Sequence, residues 1–403
     1  LNRPLHIRGA RIWDSHEVVQ RDLYIDRGRI VAEPPHGAEI IDLNGYTLFP
    51  GLINAHDHLE LNHYPRSKFR ERYDNAHQWG EDMNARLNDE PYKSLRAYPL
   101  EDRCFIGGLK NLLCGATTVV HHNPPHKCLF KPDFPVRVLK EYGWAHSLHF
   151  DTDAEIVQSY HATPKEWPWF IHLAEGRDAV ARTEFNCLKR LDCIGPNFIP
   201  VHGVGLTSDD ENQMMKSYLV LCPTTNLYLL GGTLSISSRF HTSRLLLGSD
   251  SRLTAEGDLL DELRVYQALF GQPQGLINPF QIYATVVTRP RIALGMMTIF
   301  DSPWDTDRPA DFIAVRVDFE TRMPAALFHL RRADLALVIY NGVPRIGEPH
   351  LMDRFADLEP VAGDLDGKAK AIHPHLARRI HRCSLKESGL EVELLPKRGF
   401  FFS

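Results

Sequence analysis

Residues 53–62 read INAHDHLELN, an apolar run that ends in His56 and His58. Alternate side chains of a strand share a face, so two imidazoles spaced this way can point to one side and bind one metal ion. Alone, an HxH pair is weak, because two half-exposed loop histidines would look the same. What strengthens it is the chain that follows. From Gly51 to about Ile299, strand-like runs alternate with longer helical stretches, the pattern of parallel βα units. Seven runs stand out: TLFPGLINAH, GATTVVHH, WAHSLHF, WFIHLAE, NFIPVHGV, YLVLCPTT and RLLLGSD. Helical patterns fit between them, including DENQMMKSY after the fifth and DLLDELRVYQALF after the last, where Asp258 is placed to cap.

Most of these runs end in a polar or titratable residue, and the carboxyl ends of the strands are where a (β/α) barrel builds its active site. His172 closes WFIH with Glu175 three residues on, His202 closes FIPVH, and Asp250 closes LLLGSD. Singly, a strand-end His is more often a hydrogen-bonded structural residue, and an Asp before Ser more often a helix cap. Together, imidazoles and one carboxylate on successive strand ends suit Zn²⁺ first and Fe²⁺ second, with room for a water.

The ends of the chain are different. IRGARIWD, DLYIDRGRIVAE and EIIDLNGYTLFP, then DFIAVRVD and ADLALVIYNGVPRIG beyond Asp311, alternate apolar and polar residues around Gly and Asn turns. The expected architecture is α/β: a (β/α)8-type barrel over 51–304, plus a small β-sandwich assembled from 1–50 and 305–403. In the latter, HPHLARRIHR forms a surface helix within a degraded tail. Arg66 to Asp102 reads as helix and loop over the barrel mouth.

Composition narrows the class. With 43% hydrophobic and 24% charged residues, the 403-residue chain is globular, long enough for two or three domains. A net charge of -5 with scattered Lys and Arg gives no stripe for nucleic acid and no membrane patch. No apolar run reaches the roughly 20 residues of a membrane span, and the opening LNRPLHIRGARIWD has no signal-peptide character, so the expectation is a cytoplasmic protein. Seven cysteines without a CxxC pair suggest neither a disulfide frame nor a thiolate zinc site. The 21 histidines are numerous, and four of them fall at inferred strand ends with the two carboxylates.

PGLINAHDHLELN, GATTVV, HLAEGRD, VHGVGLT, LCPTTN and LLLGSDS occur in the order seen in the amidohydrolase superfamily. The HLAE form resembles the branch containing cytosine, guanine and adenosine deaminases and triazine hydrolases. The resemblance spans nearly the whole chain. It implies one divalent metal ion per subunit held by His56, His58, His172 and Asp250. Glu175 would shuttle protons to the leaving group or ring nitrogen. His202 would bind the attacking water or polarise the scissile group, and Asp250 would also accept the water's proton. Relatives commonly form dimers, so a homo-oligomer acting on a small molecule is expected.

Two departures from the family pattern follow. Fewer than twenty residues separate WAHSLHF from WFIHLAE, so the fourth barrel strand is expected to be shortened or missing. Dinuclear relatives carry a carboxylated lysine there; Lys165 sits in turn-like TPKEWPW, and a mononuclear site is favoured. His121 and His122 stand where many relatives have an acidic residue. They join His149, Arg66, Trp79, Asn226 and Arg252 as candidate substrate contacts, each with an ordinary packing or capping alternative. The leading function is hydrolysis of a carbon-nitrogen bond, deamination of a cyclic amidine in a heteroaromatic ring. Amide hydrolysis, or displacement of halide or amine from a ring, keeps the site and changes the bond. A catalytically silent scaffold is the third reading.

Overall fold

The computed structural model describes residues 3–14, 17–214, 217–235, 242–271, 277–316 and 324–393. These form two compact units. One takes in the residues up to Gly51 with 304–316 and 331–393; the other takes in Leu52–Pro303 with 324–330. None of the described helices is long and apolar enough to cross a membrane.

In the first unit, four short strands (Arg29–Val31, Leu23–Asp26, Leu5–Arg8 and Glu39–Asp42) form one sheet. Arg27 and Gly28, both at positive φ, make the tight turn between two of them, as a two-residue hairpin requires. A second, longer sheet mixes the two ends of the chain: Thr47–Pro50 pairs antiparallel with Phe312–Val315, which pairs in turn with Leu337–Tyr340. Ile7, Ile25 and Ile41 from the small sheet and Ile12, Leu48, Phe312 and Leu337 from the large one share a single core, a β-sandwich. The tail is more ordered than its pattern suggests. Helix Pro374–Arg382 is followed by Leu390–Val392, which adds to the large sheet beside Val361–Leu365.

The second unit carries eight parallel strands among its described residues. They are β1 (Leu52–Asp57), β2 (Ala116–His121), β3 (Arg137–Val138), β4 (Gly143–Ser147), β5 (Trp169–Leu173), β6 (Phe198–His202), β7 (Leu219–Leu221) and β8 (Leu245–Leu247). Pairing runs in two arcs, β3-β2-β1 and β4 through β8 in order. The residue chain beyond β8 returns to β1, where Asp250 N–H donates to His56 O at 3.0 Å. Gly248 permits this approach, since a Cβ there would lie 2.6 Å from His56 Cβ. Ile53, Ala55, Val120, Phe170, Val201, Val220 and Leu246 fill the interior.

The helices are α1 (Ala76–Arg86), α2 (Tyr92–Arg96), α3 (Leu100–Leu113), α4 (Asp153–Ala162), α5 (Ala179–Arg190), α6 (Ser208–Gln213), α7 (Pro223–Leu230), α8 (Leu259–Phe270), α9 (Pro279–Ala284) and α10 (Thr288–Ala293) among the described residues. Asp258 caps α8 in a reciprocal box with Asp261. The expected gap before β5 is not there. Residues between β4 and β5 hold α4, capped by Thr152 and Glu155, and β4 pairs directly with β5. The short strand is instead the third, two residues long and paired with β2, too short to stand out from its surrounding loop in the sequence. Lys165 lies in the exposed turn after α4.

His373 caps helix Pro374–Arg382, its Nδ1 accepting from His375 N–H. Burial, then the charge of Arg345, pushes its pKa down to about 3. Because the unfolded ring titrates near 6.5, this contribution is complete above that pH and is lost as pH falls toward 3. Between pH 7.5 and 5.0, His373→Asn, which keeps a capping oxygen, should lose about 2 kcal/mol less stability than the parent chain. Urea unfolding midpoints at the two pH values check this; equal losses would refute it.

Candidate metal and catalytic site

The strand β1 does not deliver its histidines by simple alternation. Ile53 and Ala55 face the interior, so Asp57 should follow them, but the β1/β2 register shifts between Asn54 and Asp57. A bulge of this kind re-aims the side chains beyond it. His56 thereby turns toward the other histidines and Asp57 turns away, against α3.

Behind the site, Asp57 and Lys110 form a fully buried ion pair at 2.9 Å. Asn111 and Asn62 also donate to Asp57, at 2.7 and 2.8 Å. Lys110 Nζ donates to Ser249 Oγ at 3.0 Å and to Asp250 O at 3.1 Å, so one ammonium ties β1 to the end of β8.

In front, His56, His122, His172 and His202 have committed their ring protons elsewhere, whereas His58 Nδ1 is buried without a hydrogen-bond partner. His172 Nδ1–H donates to His146 O at 2.8 Å, and His202 Nδ1–H donates to Asn226 Oδ1 at 2.8 Å. His122 Nε2–H donates to Ala145 O at 2.8 Å, which leaves its Nδ1 to accept from His56 Nδ1–H at 3.2 Å. Burial is the first cause holding His56, His122, His172 and His202 below the ordinary imidazole pKa; it also keeps these rings neutral. The Nε2 atoms of His56 and His172, both acceptors, therefore face one another at 3.3 Å. Two lone pairs at that distance repel unless a cation lies between them.

His56, His58 and Asp250 also bring ligand atoms within 4.8 Å of one another, while His172 is grouped with His56 and His122. Asp250 Oδ1 stands 3.7 Å from His58 Nε2 and 4.0 Å from His56 Nε2. Donors around one ion at about 2.0–2.2 Å have such separations. Asp250 is oriented by Thr225 and Thr254 hydroxyls on Oδ2 (3.0 and 3.1 Å) and by Ser251 N–H on Oδ1 (2.7 Å). The backbone is held at positive φ at Ala174, His202 and Asp250, so three strand ends store strain at the site.

Glu175 lies with Oε2 3.6 Å from His202 Nε2. Burial, then the charges of Asp250 and Glu184, raises its pKa well above the usual carboxyl range. Its backbone O accepts from Ala76 N–H at 2.8 Å, and Asn75, the cap of α1, bonds Asp178 at 2.6 Å. Helix α1 is thus fastened to the loop that carries Glu175.

A cavity of about 440 Å³ opens over this cluster, lined by His58, His172, Glu175, His202 and Asp250 at its floor. Leu61, Tyr64, Trp79, Met83, Leu87, Phe150, Leu229 and Leu253 form much of its wall. None of the described lining residues is Lys or Arg.

Of the expected substrate contacts, Trp79 lines the cavity. The others stand elsewhere. His122 is buried behind His56, and His121 faces Glu60 on the opposite side of β2. Asn226 orients His202. His149 pairs with Glu81 at 3.0 Å and stacks on His77. Arg66 donates to Thr254 O and covers the Tyr228 ring, and Arg252 is off the lining with its N–H on Asn62. Sequence reasoning missed His146, a lining residue whose pKa burial lowers to about 4, although it lies in WAHSLHF beside the His149 that was chosen. It also missed Asp57 and Lys110, for which the only signal was an acidic residue between the two histidines.

No protein-family model matches the chain, and no curated protein does. Solved structures do. An adenosine deaminase from Xanthomonas campestris with bound zinc superposes with a TM-score of 0.65 at 16% identity, over 85% of this chain and 92% of that one. An atrazine chlorohydrolase from Arthrobacter aurescens complexed with zinc gives 0.67 at 16%, over 84% and 94%. An N-isopropylammelide isopropylaminohydrolase from Burkholderia multivorans gives 0.58 at 14%, over 85% and 98%. At these identities the likeness establishes the fold: a parallel α/β barrel with an added β domain, the fold expected from the amidohydrolase-like motifs.

Removing one member of the buried pair leaves an uncompensated charge, at a penalty of about 3–5 kcal/mol. Lys110→Met should lose stability of that order in urea unfolding, and the double change Lys110→Met with Asp57→Asn should recover part of it. A loss under about 1 kcal/mol would show that the pair does not anchor β1.

Proposed function

We propose that the protein is a metal-dependent hydrolase of carbon-nitrogen bonds that deaminates a cyclic amidine in a neutral heteroaromatic ring. The observation that carries this reading is the pair of proton-free Nε2 atoms of His56 and His172 facing each other at 3.3 Å, with Asp250 and Glu175 beside them. His56, His58, His172 and Asp250 would hold one divalent ion, zinc by the donor set. When bound, such an ion polarises the scissile group and makes water a competent nucleophile at neutral pH.

The chain's own groups supply the rest. Asp250, held by three donors, accepts the proton of the attacking water. Glu175, kept protonated by burial, gives a proton to the ring nitrogen or the leaving group. His202 presents Nε2 to the reacting centre because Asn226 fixes its other nitrogen. The aromatic and aliphatic walls, without a lysine or arginine, suit an uncharged flat ring rather than a phosphorylated one.

The same walls favour a second reading, displacement of an amine or halide from an alkyl-substituted ring. The two zinc-bound neighbours in the comparison, a deaminase and a chlorohydrolase, are compatible with either. A substrate panel of aminopurines, pterins, aminopyrimidines and substituted triazines separates them by leaving group: ammonia, alkylamine or halide. Inactivity across the panel with turnover of acyclic amides would sink both.

Chelation should abolish turnover and zinc should restore it. Glu175→Gln should lower turnover by roughly 10²–10⁴-fold while the metal content stays unchanged. Absence of stoichiometric metal after expression in supplemented medium, together with unchanged activity of Glu175→Gln, would refute an enzymatic role.

A further inference from the structure

The two histidines that end GATTVVHH face opposite ways. His122 turns toward His56, whereas His121 points out of the barrel toward Glu60, in the turn after the HxH pair. His121 is fully buried and the Glu60 side chain is 10% exposed, yet His121 Nε2 and Glu60 Oε2 have no hydrogen-bond partner. They lie 3.7 Å apart, too far to bond to each other. Asn123 occupies the other carboxylate oxygen, donating to Oε1 at 2.6 Å. His126, half-buried in the loop after β2, brings a third ligand atom to within 4.8 Å of both.

We propose that Glu60, His121 and His126 form a second transition-metal site, distinct from the catalytic cluster, that takes a single zinc ion. Buried polar groups left without partners carry a desolvation penalty that coordination removes. Two tetrahedral ligands at zinc-nitrogen and zinc-oxygen distances stand about 3.4 Å apart, close to the separation observed. Two imidazoles and one carboxylate select a first-row divalent ion over magnesium or calcium, which want oxygen ligands. The half-buried His126 provides the entry side, and a water completes the shell. The hydrogen bond given up is the long one from Leu59 N–H to His121 Nδ1, 3.3 Å, because ligation through Nε2 places the ring proton on Nδ1. The ion would fasten the loop after β2 to the turn after β1.

The test uses the full chain with zinc alone. Metal analysis after equilibration with excess zinc and desalting should give one zinc per chain fewer for His126→Ala than for the parent, with turnover retained. Anomalous diffraction at the zinc edge should place a peak among the three side chains. Added zinc should raise the unfolding temperature of the parent more than that of His126→Ala. Equal zinc content in parent and variant, or no peak at this position, would overturn the proposal and assign the gap to a bridging water. Because the readout is the difference at His126, it is independent of what the catalytic cluster binds.

Discussion

Two ring nitrogens that can only accept, held 3.3 Å apart in a buried space, are the constraint around which the second unit is arranged. Each acquires that state from its far side. His172 is oriented by the backbone of β4, His56 by His122, and His122 by Ala145. The outer partners convert neutral imidazoles, which could hydrogen-bond to one another, into a set of inward lone pairs. Such a set is unfavourable by itself and favourable around a cation, and its geometry is held in part by backbone carbonyls.

That arrangement has to be carried by something stiff, and the buried Asp57–Lys110 pair is the stiffener. It links β1 to α3 and, through Ser249 and the Asp250 carbonyl, to the segment after β8. Gly107 in α3 allows the helix to approach, since a Cβ there would meet Leu59 O. A charged pair in this position adds little net stability compared with a packed apolar pair, but it permits one register between the two elements. The same bulge that turns Asp57 to Lys110 turns His56 to the site, so the pairing behind and the ligands in front are two results of one backbone irregularity.

Much of this was legible in the sequence because strand ends are local. His56, His58, His172, Glu175, His202 and Asp250 each close or follow an apolar run, and the structure brings all six together. The groups that were not legible are those whose roles depend on long-range contacts. Lys110 is an unremarked residue in the last turn of a helix until α3 packs behind β1. His122 looked like a substrate contact because sequence position fixes which strand end a residue occupies, not which side of His56 it faces. The misplaced short strand has a similar origin: a two-residue strand has no periodicity, so β3 was invisible and its absence was charged to the next interval. Arg66 and Arg252 were candidates for anion binding on charge alone, whereas Arg66 is engaged by backbone carbonyls and an aromatic face.

Much of the apolar cavity wall comes from the segment between β1 and β2. Tyr64, Trp79, Met83 and Leu87 come from it, and α1 is pinned at its first turn to the Glu175 loop. A ligand packed against these residues would therefore press on the element fastened to the Glu175 loop. Under the proposed function, this coupling would let apolar ring substituents affect turnover as well as binding, because a carboxylic acid must be within hydrogen-bonding reach of the atom it protonates. Under the proposed function, a greasy wall would select for a ring while Glu175, His202 and Asp250 at the floor would select for a leaving group.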